Sequence, residues 1–228
     1  MLNLKKILAE YVFKNYLQNL EDLEEGLVIG LGTGSTLNEL LPFIANIPHF
    51  QYKNFSFVAS SIMTQNLAEH HGIRVLEFNQ VKGIDLYIDG ADACNSIGQL
   101  IKGHGGALTR EKILAAASKQ FVCMVDYSKV QEDLSNIALP IEVLPFARSF
   151  VARELLKLGA DPVWKENFVS DNHNQILHAK FRSIPKPQEL EQQINLIPGV
   201  VDNGLFCTNK PQTILIAQIS GGIRRLKI

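Results

Sequence analysis

LVIGLGTGST, residues 27–36, joins an apolar run to a glycine-rich loop and a pair of hydroxyl side chains. An apolar run that enters such a loop is typical of a buried strand, and a helix is expected to follow from Ser35 or Thr36 through Leu41. Pro42 is expected to kink that helix or end it early. Loop N–H groups and a helix N-terminus together attract an anion, so the stretch predicts a phosphate-binding loop. The alternative is a tight strand-to-helix turn without a ligand.

The regular alternation of apolar strands and helices up to about residue 130 predicts a mostly parallel sheet covered on both faces. After residue 131 the predicted order becomes strand, helix, strand, strand, helix, strand, which is the split βαβ pattern. We therefore predict an α/β protein, with a Rossmann-like, mostly parallel sheet domain and a smaller ferredoxin-like (βαββαβ) α+β domain. The first domain is predicted to comprise residues 1–130 and 206–228, and the second residues 131–205.

The individual elements follow from hydrophobic periodicity and from glycine and proline positions. The predicted strands are 27–32, 55–60, 73–78, 84–89, 121–126, 137–145, 163–164, 175–181, 199–207 and 213–219. The predicted helices, besides the one after Ser35, are 3–18, 62–72, 109–119, 146–159 and 187–197. The last strand, 213–219, is expected to return to the first sheet, and SDNHN (170–174) is expected to be a polar turn.

Composition restricts the partners and the compartment. The 228-residue chain has a formal net charge of -1 and a pI near 6.6, which offers no attraction to nucleic acid or to an anionic membrane. No apolar run approaches the roughly 20 residues that span a bilayer, and the N-terminus lacks a signal-peptide core, so we expect a cytoplasmic protein. The cysteines have no paired spacing and are expected to be reduced, and the histidines show no metal-ligand spacing, so no metal is expected.

The acidic loop DGAD (89–92) ends the apolar run of residues 84–88. The carboxyl end of a strand in an open α/β sheet is where ligands bind. Asp89 and Asp92, on a loop bent by glycine, can both face a small polar molecule. The alternative is an Asp-rich turn that caps the start of a helix.

The stretch KGHGGALTRE (102–111) carries a lysine and three glycines and then begins a helix. With Thr109 as the N-cap, Glu111 falls in the first turn, where a carboxylate complements the helix dipole. That environment lowers a carboxyl pKa, whereas a general base that works near neutrality needs its pKa raised by burial or by a neighbouring acid. Taken singly, Glu111 fits a dipole-complementing acid and Lys102 fits a solvated surface charge.

Taken together, these loops resemble ribose-5-phosphate isomerase of the A type, over nearly the whole chain. The motifs that carry the resemblance are GxGTGST, DGAD, KGxGG, REK, VDYSK (125–129), LPIEVLPFARSFVARELLKLG (139–159) and IPGVVDNGLF (197–206). The resemblance implies interconversion of ribose 5-phosphate and ribulose 5-phosphate, a small-molecule sugar phosphate as partner, and no metal or organic cofactor. It also implies a homodimer or a tetramer.

The resemblance further implies a role for each site residue. Glu111 is expected to be the general base, which moves a proton between C2 and C1 through a cis-enediolate that Lys102 stabilises. Asp89 is expected to shuttle the hydroxyl protons and is a candidate for opening the furanose ring, and Asp92 is expected to orient the sugar hydroxyls or Lys102. The implied substrate-binding residues are Thr33, Gly34, Ser35, Thr36, Asp89, Gly90, Ala91, Asp92, Lys102, Gly103, His104, Gly105 and Lys129.

The chain departs from the family pattern at two positions. Ala93 replaces the acid that usually follows DGAD, which affects activity or pH optimum if that acid binds substrate or tunes Asp92. His104 stands where a glycine is expected, and its ring either narrows the loop, adds a group that titrates near pH 6.5, or points to solvent, which we favour.

Three other classes of function fit the sequence less well. A sugar-phosphate sensor would lack the base and carry a DNA-binding element, whereas Glu111 is present and the first 25 residues hold one helix without basic recognition features. An aminosugar-phosphate deaminase or an acyl-CoA transferase fits the sheet, but neither signature is seen. A nicotinamide dehydrogenase is disfavoured because Ser35 stands where GxGxxG needs its third glycine, and no lysine follows for a Walker A loop.

Overall fold

The computed structural model of the chain describes residues 2–18, 26–47 and 55–228. The chain forms two compact units. Unit 1 comprises Met1–Gly90, Ile113–Ser128 and Pro211–Ile228, and unit 2 comprises Ala91–Lys112 and Lys129–Lys210. No helix within the described ranges has both the length and the apolar character that crossing a membrane requires.

The described residues contain the following strands and helices in chain order. The strands are β1 (Leu27–Leu31), β2 (Phe55–Ala59), β3 (Ile84–Gly90), β4 (Ala93–Cys94), β5 (Leu100–Ile101), β6 (Ser118–Asp126), β7 (Leu139–Val143), β8 (Ala160–Trp164), β9 (Gln175–Phe181), β10 (Val200–Asn203), β11 (Leu205–Phe206), β12 (Thr213–Ala217) and β13 (Ile223–Lys227). The α-helices are α1 (Leu4–Val12), α2 (Ser35–Asn38), α3 (Leu41–Ala45), α4 (Ile62–His70), α5 (Leu108–Ala116), α6 (Arg148–Lys157) and α7 (Pro187–Asn195), and a π-helical turn, Phe13–Leu17, continues α1.

Unit 1 is built on a six-stranded sheet in the order β13-β12-β6-β3-β1-β2. All neighbouring strands are parallel except β13, which runs antiparallel to β12 at one edge. The central strand β3 is buried along most of its length, because strands of a parallel sheet are covered on both faces. One core cluster joins the sheet to α1 through buried side chains such as Leu8, Val12, Ile88 and Leu215. The mostly parallel α/β sheet that the sequence predicts is confirmed.

Unit 2 contains an antiparallel sheet in the order β10-β7-β9-β8, with α6 and α7 as its two helices. Its chain order from β7 to β10 is β-α-β-β-α-β, which confirms the predicted ferredoxin-like pattern. The apolar sides of α6 and α7, with Leu155 and Ile194, pack in one cluster with Ile141 and Leu177 of the sheet. A further small sheet, in the order β11-β5-β4, also lies in unit 2.

That small sheet makes the two compact units differ from the predicted domain boundaries. Residues 91–112, 129–130 and 206–210, which the sequence assigns to the first domain, belong to unit 2. The physical reason is strand pairing: β4 pairs with β5 and β5 pairs with β11, while Ala93, Ile101 and Leu205 are buried in the core cluster of unit 2. Strands of two residues carry too little pattern to be recognised in a sequence.

Three element predictions need correction. The predicted strand 73–78 is wrong: it makes a single bridge between Val75 and Phe57, and a 3₁₀ turn with a capping box begins after Glu77. The predicted strand 199–207 is two strands, because Gly204 separates β10 from β11 and a Cβ there would stand 2.3 Å from the Lys102 carbonyl oxygen. The predicted helix after Ser35 is two short helices, with Pro42 in the first turn of α3.

Candidate active site

In unit 1, the glycine loop after β1 holds Thr33 in a cluster of hydroxyl groups. The Thr33 hydroxyl lies 2.8 Å from the hydroxyl of Ser60 and 2.8 Å from that of Ser61, which follow the neighbouring strand β2. The hydroxyl of Thr64 lies 3.3 Å from that of Thr33 and donates to the carbonyl of Gly32. The loop conformation is therefore fixed by side chains from the end of the adjacent parallel strand.

Asp89, another predicted site residue, contacts the same loop in unit 1. Its side chain is fully buried, and its Oδ1 accepts hydrogen bonds from the backbone N–H of Thr33 at 3.0 Å and of Gly90 at 2.7 Å. The hydroxyl of Tyr87, two residues earlier on the same face of β3, donates to Oδ2. The carboxylate therefore links the end of β3 to the loop that follows β1.

The start of α2 completes the predicted phosphate loop. Gly34 precedes the helix with φ 140°, and Ser35 and Thr36 are its first two residues. Nζ of Lys5, on α1, donates to the Ser35 hydroxyl at 2.7 Å. A cation thus stands beside the hydroxyl and N–H groups, which is the environment an anion prefers.

In unit 2, the 102–106 loop is held by Asp92. The N–H of Asp92 donates to the carbonyl of Ile101 at 2.8 Å, and its carboxylate accepts from the backbone N–H of His104 at 3.0 Å. Nζ of Lys165 donates to the His104 carbonyl at 2.9 Å. Gly103 and Gly106 close a turn through a hydrogen bond of 2.8 Å between Gly106 N–H and the Gly103 carbonyl, leaving Gly105 exposed at its tip.

Lys102 and Glu111 form a buried ion pair in unit 2. Nζ of Lys102 lies 3.3 Å from Oε1 of Glu111, and their side chains are 2% and 3% exposed. The Lys102 ammonium also lies 5.6 Å from the centre of the Phe206 ring. A carboxylate fixed beside an ammonium and shielded from water is an arrangement that can move a proton and stabilise the negative charge that results.

Helix α5 carries Glu111 in its first turn, as predicted, but it begins before Thr109. The helix begins at Leu108, so Thr109 lies inside its first turn and is not the N-cap. The Thr109 hydroxyl instead donates to Glu142 of β7. Lys112, next to the candidate base, donates to the Asp202 carboxylate at 2.8 Å and pairs with Glu191 at 3.2 Å. The interpretation of Lys102, taken singly, as a solvated surface charge is wrong, because its side chain is buried. Glu111 does lie in the first turn of α5, where a carboxylate complements the helix dipole.

Comparison with known proteins identifies the family of this chain. The family model for ribose 5-phosphate isomerase A (phosphoriboisomerase A) matches residues 56–221. Ribose-5-phosphate isomerase A of Legionella pneumophila (strain Philadelphia 1) is 47% identical over 199 residues, which is 87% of this chain and 91% of the relative. The chain belongs to the ribose 5-phosphate isomerase A family.

Solved structures of ribose 5-phosphate isomerases match nearly the whole length of this chain. The crystal structure of ribose 5 phosphate isomerase A from Neisseria gonorrhoeae has a TM-score of 0.87 and 35% identity, covering 98% of this chain and 96% of that one. A structure of a D-ribose-5-phosphate isomerase in complex with phospho-erythronic acid has a TM-score of 0.90 and 32% identity, covering 99% of this chain and 98% of that one. The resemblance inferred from the sequence motifs is confirmed.

Ala93 and His104, the two departures from the ribose 5-phosphate isomerase A pattern, both have defined contacts in unit 2. Ala93 is fully buried in β4 and belongs to the core cluster of unit 2. His104 does not simply point to solvent: its Nε2 lies 2.7 Å from the carbonyl of Ala138, and its ring stacks on that of His178 at 5.3 Å. The histidine therefore fastens the 102–106 loop to the residue before β7 and to strand β9 within unit 2.

Several residues around the candidate site were missed by sequence reasoning. Ser60 and Ser61 directly follow a predicted parallel strand, a position where ligands bind. Tyr87 lies two residues before Asp89 and so shares its strand face. Both signals are present in the sequence. Lys5 and Phe206 carried no such signal, because only tertiary packing brings each to its partner. Lys129, predicted as a substrate contact, ends a 3₁₀ turn, Tyr127–Lys129, and is half-buried.

Proposed function

We propose that this chain interconverts D-ribose 5-phosphate and D-ribulose 5-phosphate, with Glu111 as the general base. The observation that carries the proposal is the buried Lys102–Glu111 pair, with 3.3 Å between Nζ and Oε1. The relatives are ribose-5-phosphate isomerases, which supports the substrate, and one similar solved structure holds phospho-erythronic acid, a phosphorylated sugar acid, which supports the substrate class.

The proposed chemistry is a proton transfer between two carbons of the open-chain sugar. Glu111 removes the proton from C2, the C–H electron pair forms the C1–C2 double bond, and O1 becomes negatively charged. One proton then moves from O2 to O1, and Glu111 returns its proton to C1, which gives the ketose. Lys102 stabilises the oxygen charge of the cis-enediolate, and such electrostatic stabilisation is usually the largest contribution to a rate enhancement.

The two aspartates have separate proposed roles. Asp89 carries the proton between O2 and O1, because its carboxylate is buried and held in one orientation by Thr33, Gly90 and Tyr87. It is also the candidate for opening the furanose ring. Asp92 orients the sugar hydroxyls and, through the N–H of His104, the loop that carries Lys102.

The phosphate of the substrate is proposed to bind at Thr33, Gly34, Ser35 and Thr36. Lys5 supports this assignment, because its ammonium lies 2.7 Å from the Ser35 hydroxyl. The remaining substrate contacts in the proposal are Gly90, Ala91, Gly103, His104, Gly105 and Lys129. Binding energy from the phosphate, remote from the reacting carbons, would position C1 and C2 for proton transfer.

The proposed assembly is a homodimer, with a tetramer as the alternative, acting in the cytoplasm without a metal or organic cofactor. Apolar side chains exposed on unit 2 support self-association, since Phe146 is 103% exposed, Leu196 81% and Leu144 48%. Sedimentation velocity would measure the mass in solution, and a single monomeric species would contradict the assembly.

The test is proton exchange with ribose 5-phosphate in deuterated water with EDTA present, followed by NMR. We expect ribulose 5-phosphate to appear with deuterium at the exchanging carbon. Glu111→Gln should abolish turnover and leave binding of phospho-erythronic acid intact. The control is Glu189→Gln, which alters an exposed acid in the first turn of α7.

Near-normal turnover by Glu111→Gln would sink the assignment of the base. A requirement for metal, revealed by inactivity in EDTA, would contradict the cofactor-free mechanism. Binding of the sugar phosphate without exchange in the unaltered chain would favour a sensor over an enzyme.

A further inference from the structure

Glu142, on the fully buried strand β7, is a carboxylate for which the proposed mechanism has no use. Its side chain has 0% exposure. Its Oε1 accepts hydrogen bonds from the Ser170 hydroxyl at 2.7 Å, the Asn174 amide at 2.9 Å and the Asn172 amide at 3.1 Å. Its Oε2 accepts from the Thr109 hydroxyl at 2.5 Å and from the Asn172 amide at 3.4 Å. Within the described residues, every hydrogen-bond partner of this acid is therefore neutral.

A buried carboxylate without a cation is costly, so its presence in β7 calls for a reason beyond packing. Hydrogen bonds to an ionised acceptor are shorter and about twice as strong as those between neutral groups. A carboxylate that receives four side-chain donors therefore holds them more firmly than an apolar residue or a neutral acceptor would. Among these four donors, Thr109 alone belongs to α5, the helix that carries Glu111.

The polar turn of residues 170–174 also binds Arg110, the residue that follows Thr109 in α5. Nε of Arg110 donates to the Asn172 side-chain oxygen at 2.9 Å, and its guanidinium donates to the Asp171 carbonyl at 2.9 Å. Ser170 stiffens the turn, because its hydroxyl accepts from the N–H of Asn174 at 3.1 Å. Thr109 and Arg110, the two residues immediately before Glu111, are thus both fastened to the group of side chains around Glu142.

We propose that Glu142 is a positioning residue for the general base. It binds Thr109 directly and Arg110 through Asn172, and it thereby fixes the first turn of α5 in the orientation that Glu111 needs for proton transfer. This inference rests on the proposed function, since it requires Glu111 to be the base. Misplacing a reacting group by about 1 Å costs on the order of 100-fold in rate, so a modest loosening of this turn is visible in turnover.

The experiment compares Thr109→Val, which keeps the shape and removes the donor, with Thr109→Ser, which keeps the donor. We expect Thr109→Val to lower kcat by about ten-fold or more, through partial misplacement of the base. KM and the binding constant of phospho-erythronic acid should not change. The primary isotope effect with ribose 5-phosphate deuterated at C2 should rise, because proton transfer becomes slower. Thr109→Ser should restore kcat.

The matched control is Thr213→Val, which removes another buried threonine hydroxyl, in β12. We expect it to leave kcat and the isotope effect unchanged. If Thr109→Val does not fold, Thr109→Ala makes the same comparison against Thr109→Ser.

The proposal is overturned if Thr109→Val lowers the melting temperature but keeps kcat and the isotope effect of the unaltered chain, because Glu142 is then only structural. This outcome is separable from failure of the proposed function. If Glu111→Gln is inactive while Thr109→Val is fully active, only the positioning role falls. If Glu111→Gln remains active, the assignment of the base falls first.

Discussion

Gly32 shows how tightly the loop after β1 is built around Asp89. A Cβ added at Gly32 would stand 1.9 Å from Cγ of Asp89 and 2.0 Å from its Oδ1. Position 32 therefore requires glycine because the Asp89 side chain leaves no room for a Cβ. Backbone conformation is not the reason, since Gly32 does not have a positive φ. That approach lets the N–H of Thr33 reach the Asp89 carboxylate.

We expect Gly32→Ala to destabilise the chain by about 1–3 kcal/mol, the usual cost of overpacking a filled interior. It should also lower activity, because Asp89 must move and the hydrogen bond from Thr33 is lost. The measurement is the free energy of unfolding in denaturant together with turnover. Gly83→Ala is the control, since a Cβ there meets only the carbonyl oxygen of Ala117 at an ordinary 3.5 Å. Equal stability of the two variants would refute the close-approach interpretation.

His178 makes stability depend on pH. Burial lowers the pKa of His178 below its usual value, the nearby His104 and Lys165 lower it further, and Asp92 opposes them. Its Nε2 is buried and has no hydrogen-bond partner among the described residues. Below about pH 6.5 the unfolded chain therefore binds a proton at this residue that the folded chain resists. The stability contributed by the neutral ring is present above about pH 6.5 and is lost as the pH falls toward the folded pKa.

We expect His178→Phe, which keeps a ring against His104, to flatten the fall in stability between about pH 6.5 and the folded pKa. Denaturant titrations across this range would measure the slope. His70→Phe, at an exposed position on α4, is the control and should leave the slope unchanged. An unaltered slope in His178→Phe would assign the acid sensitivity to other groups.

At the scale of one element, the first turn of α5 is anchored at every side chain from Thr109 to Lys112. Lys112 lies 2.8 Å from Asp202 on β10 and 3.2 Å from Glu191 on α7, and its side chain is 8% exposed. Its ammonium also lies 5.1 Å from the centre of the Phe206 ring. The helix is therefore held by tertiary contacts, because its own sequence, LTREKILAA, is only weakly amphipathic.

We expect Lys112→Met to destabilise the chain by about 3 kcal/mol or more, because the buried Glu191 carboxylate and the partly buried Asp202 carboxylate lose their cation. The measurement is the shift of the denaturant midpoint at constant slope. Lys119→Met is the control: its ammonium pairs with Asp85 at 2.7 Å, but the lysine side chain is 81% exposed, so its loss should cost little. A Lys112→Met variant as stable as the control would show that the anchor is dispensable.

At the scale of the whole molecule, the three cysteines can show whether the buried interior is accessible to solvent. Cys94, Cys123 and Cys207 are all buried free thiols. Burial raises the pKa of Cys94 to about 11 and that of Cys207 to about 12, and neighbouring carboxylates, Glu132 and Glu191, add to the shifts. The thiolate is the reactive form, so these groups are chemically quiet in the folded chain.

We expect a thiol-reactive dye at pH 8 to label none of the three cysteines in the folded chain and all of them in guanidinium chloride. The reason is that all three thiols are buried, and that burial also raises the pKa of Cys94 and Cys207 and so suppresses their thiolates. Ser96→Cys, at an exposed position two residues from Cys94, is the positive control and should react at once. Rapid labelling of the unaltered chain would show that unit 2 or unit 1 opens locally.

Much of the fold could be predicted because its longer elements carry their own periodicity. The strand at 84–89, the helix at 62–72 ended by Gly72, and the strand at 175–181 were all predicted within a few residues of their observed bounds. The prediction that the strand at 213–219 belongs to the first sheet is confirmed, because β12 pairs with β6 there. The antiparallel edge strand β13 was missed, since its residues IRRLK alternate only weakly and are largely exposed.

The sequence by itself determined the fold class, the family and the loops that carry the candidate residues, because apolar periodicity and glycine-bounded motifs are local properties. Only the tertiary structure decided that Lys102 and Glu111 are buried partners and that Thr109 binds Glu142 instead of capping its helix. It also assigned residues 91–112 to unit 2. The physical reason is that burial, ion pairing and the pairing of very short strands depend on residues far apart in the chain, and no local pattern records them.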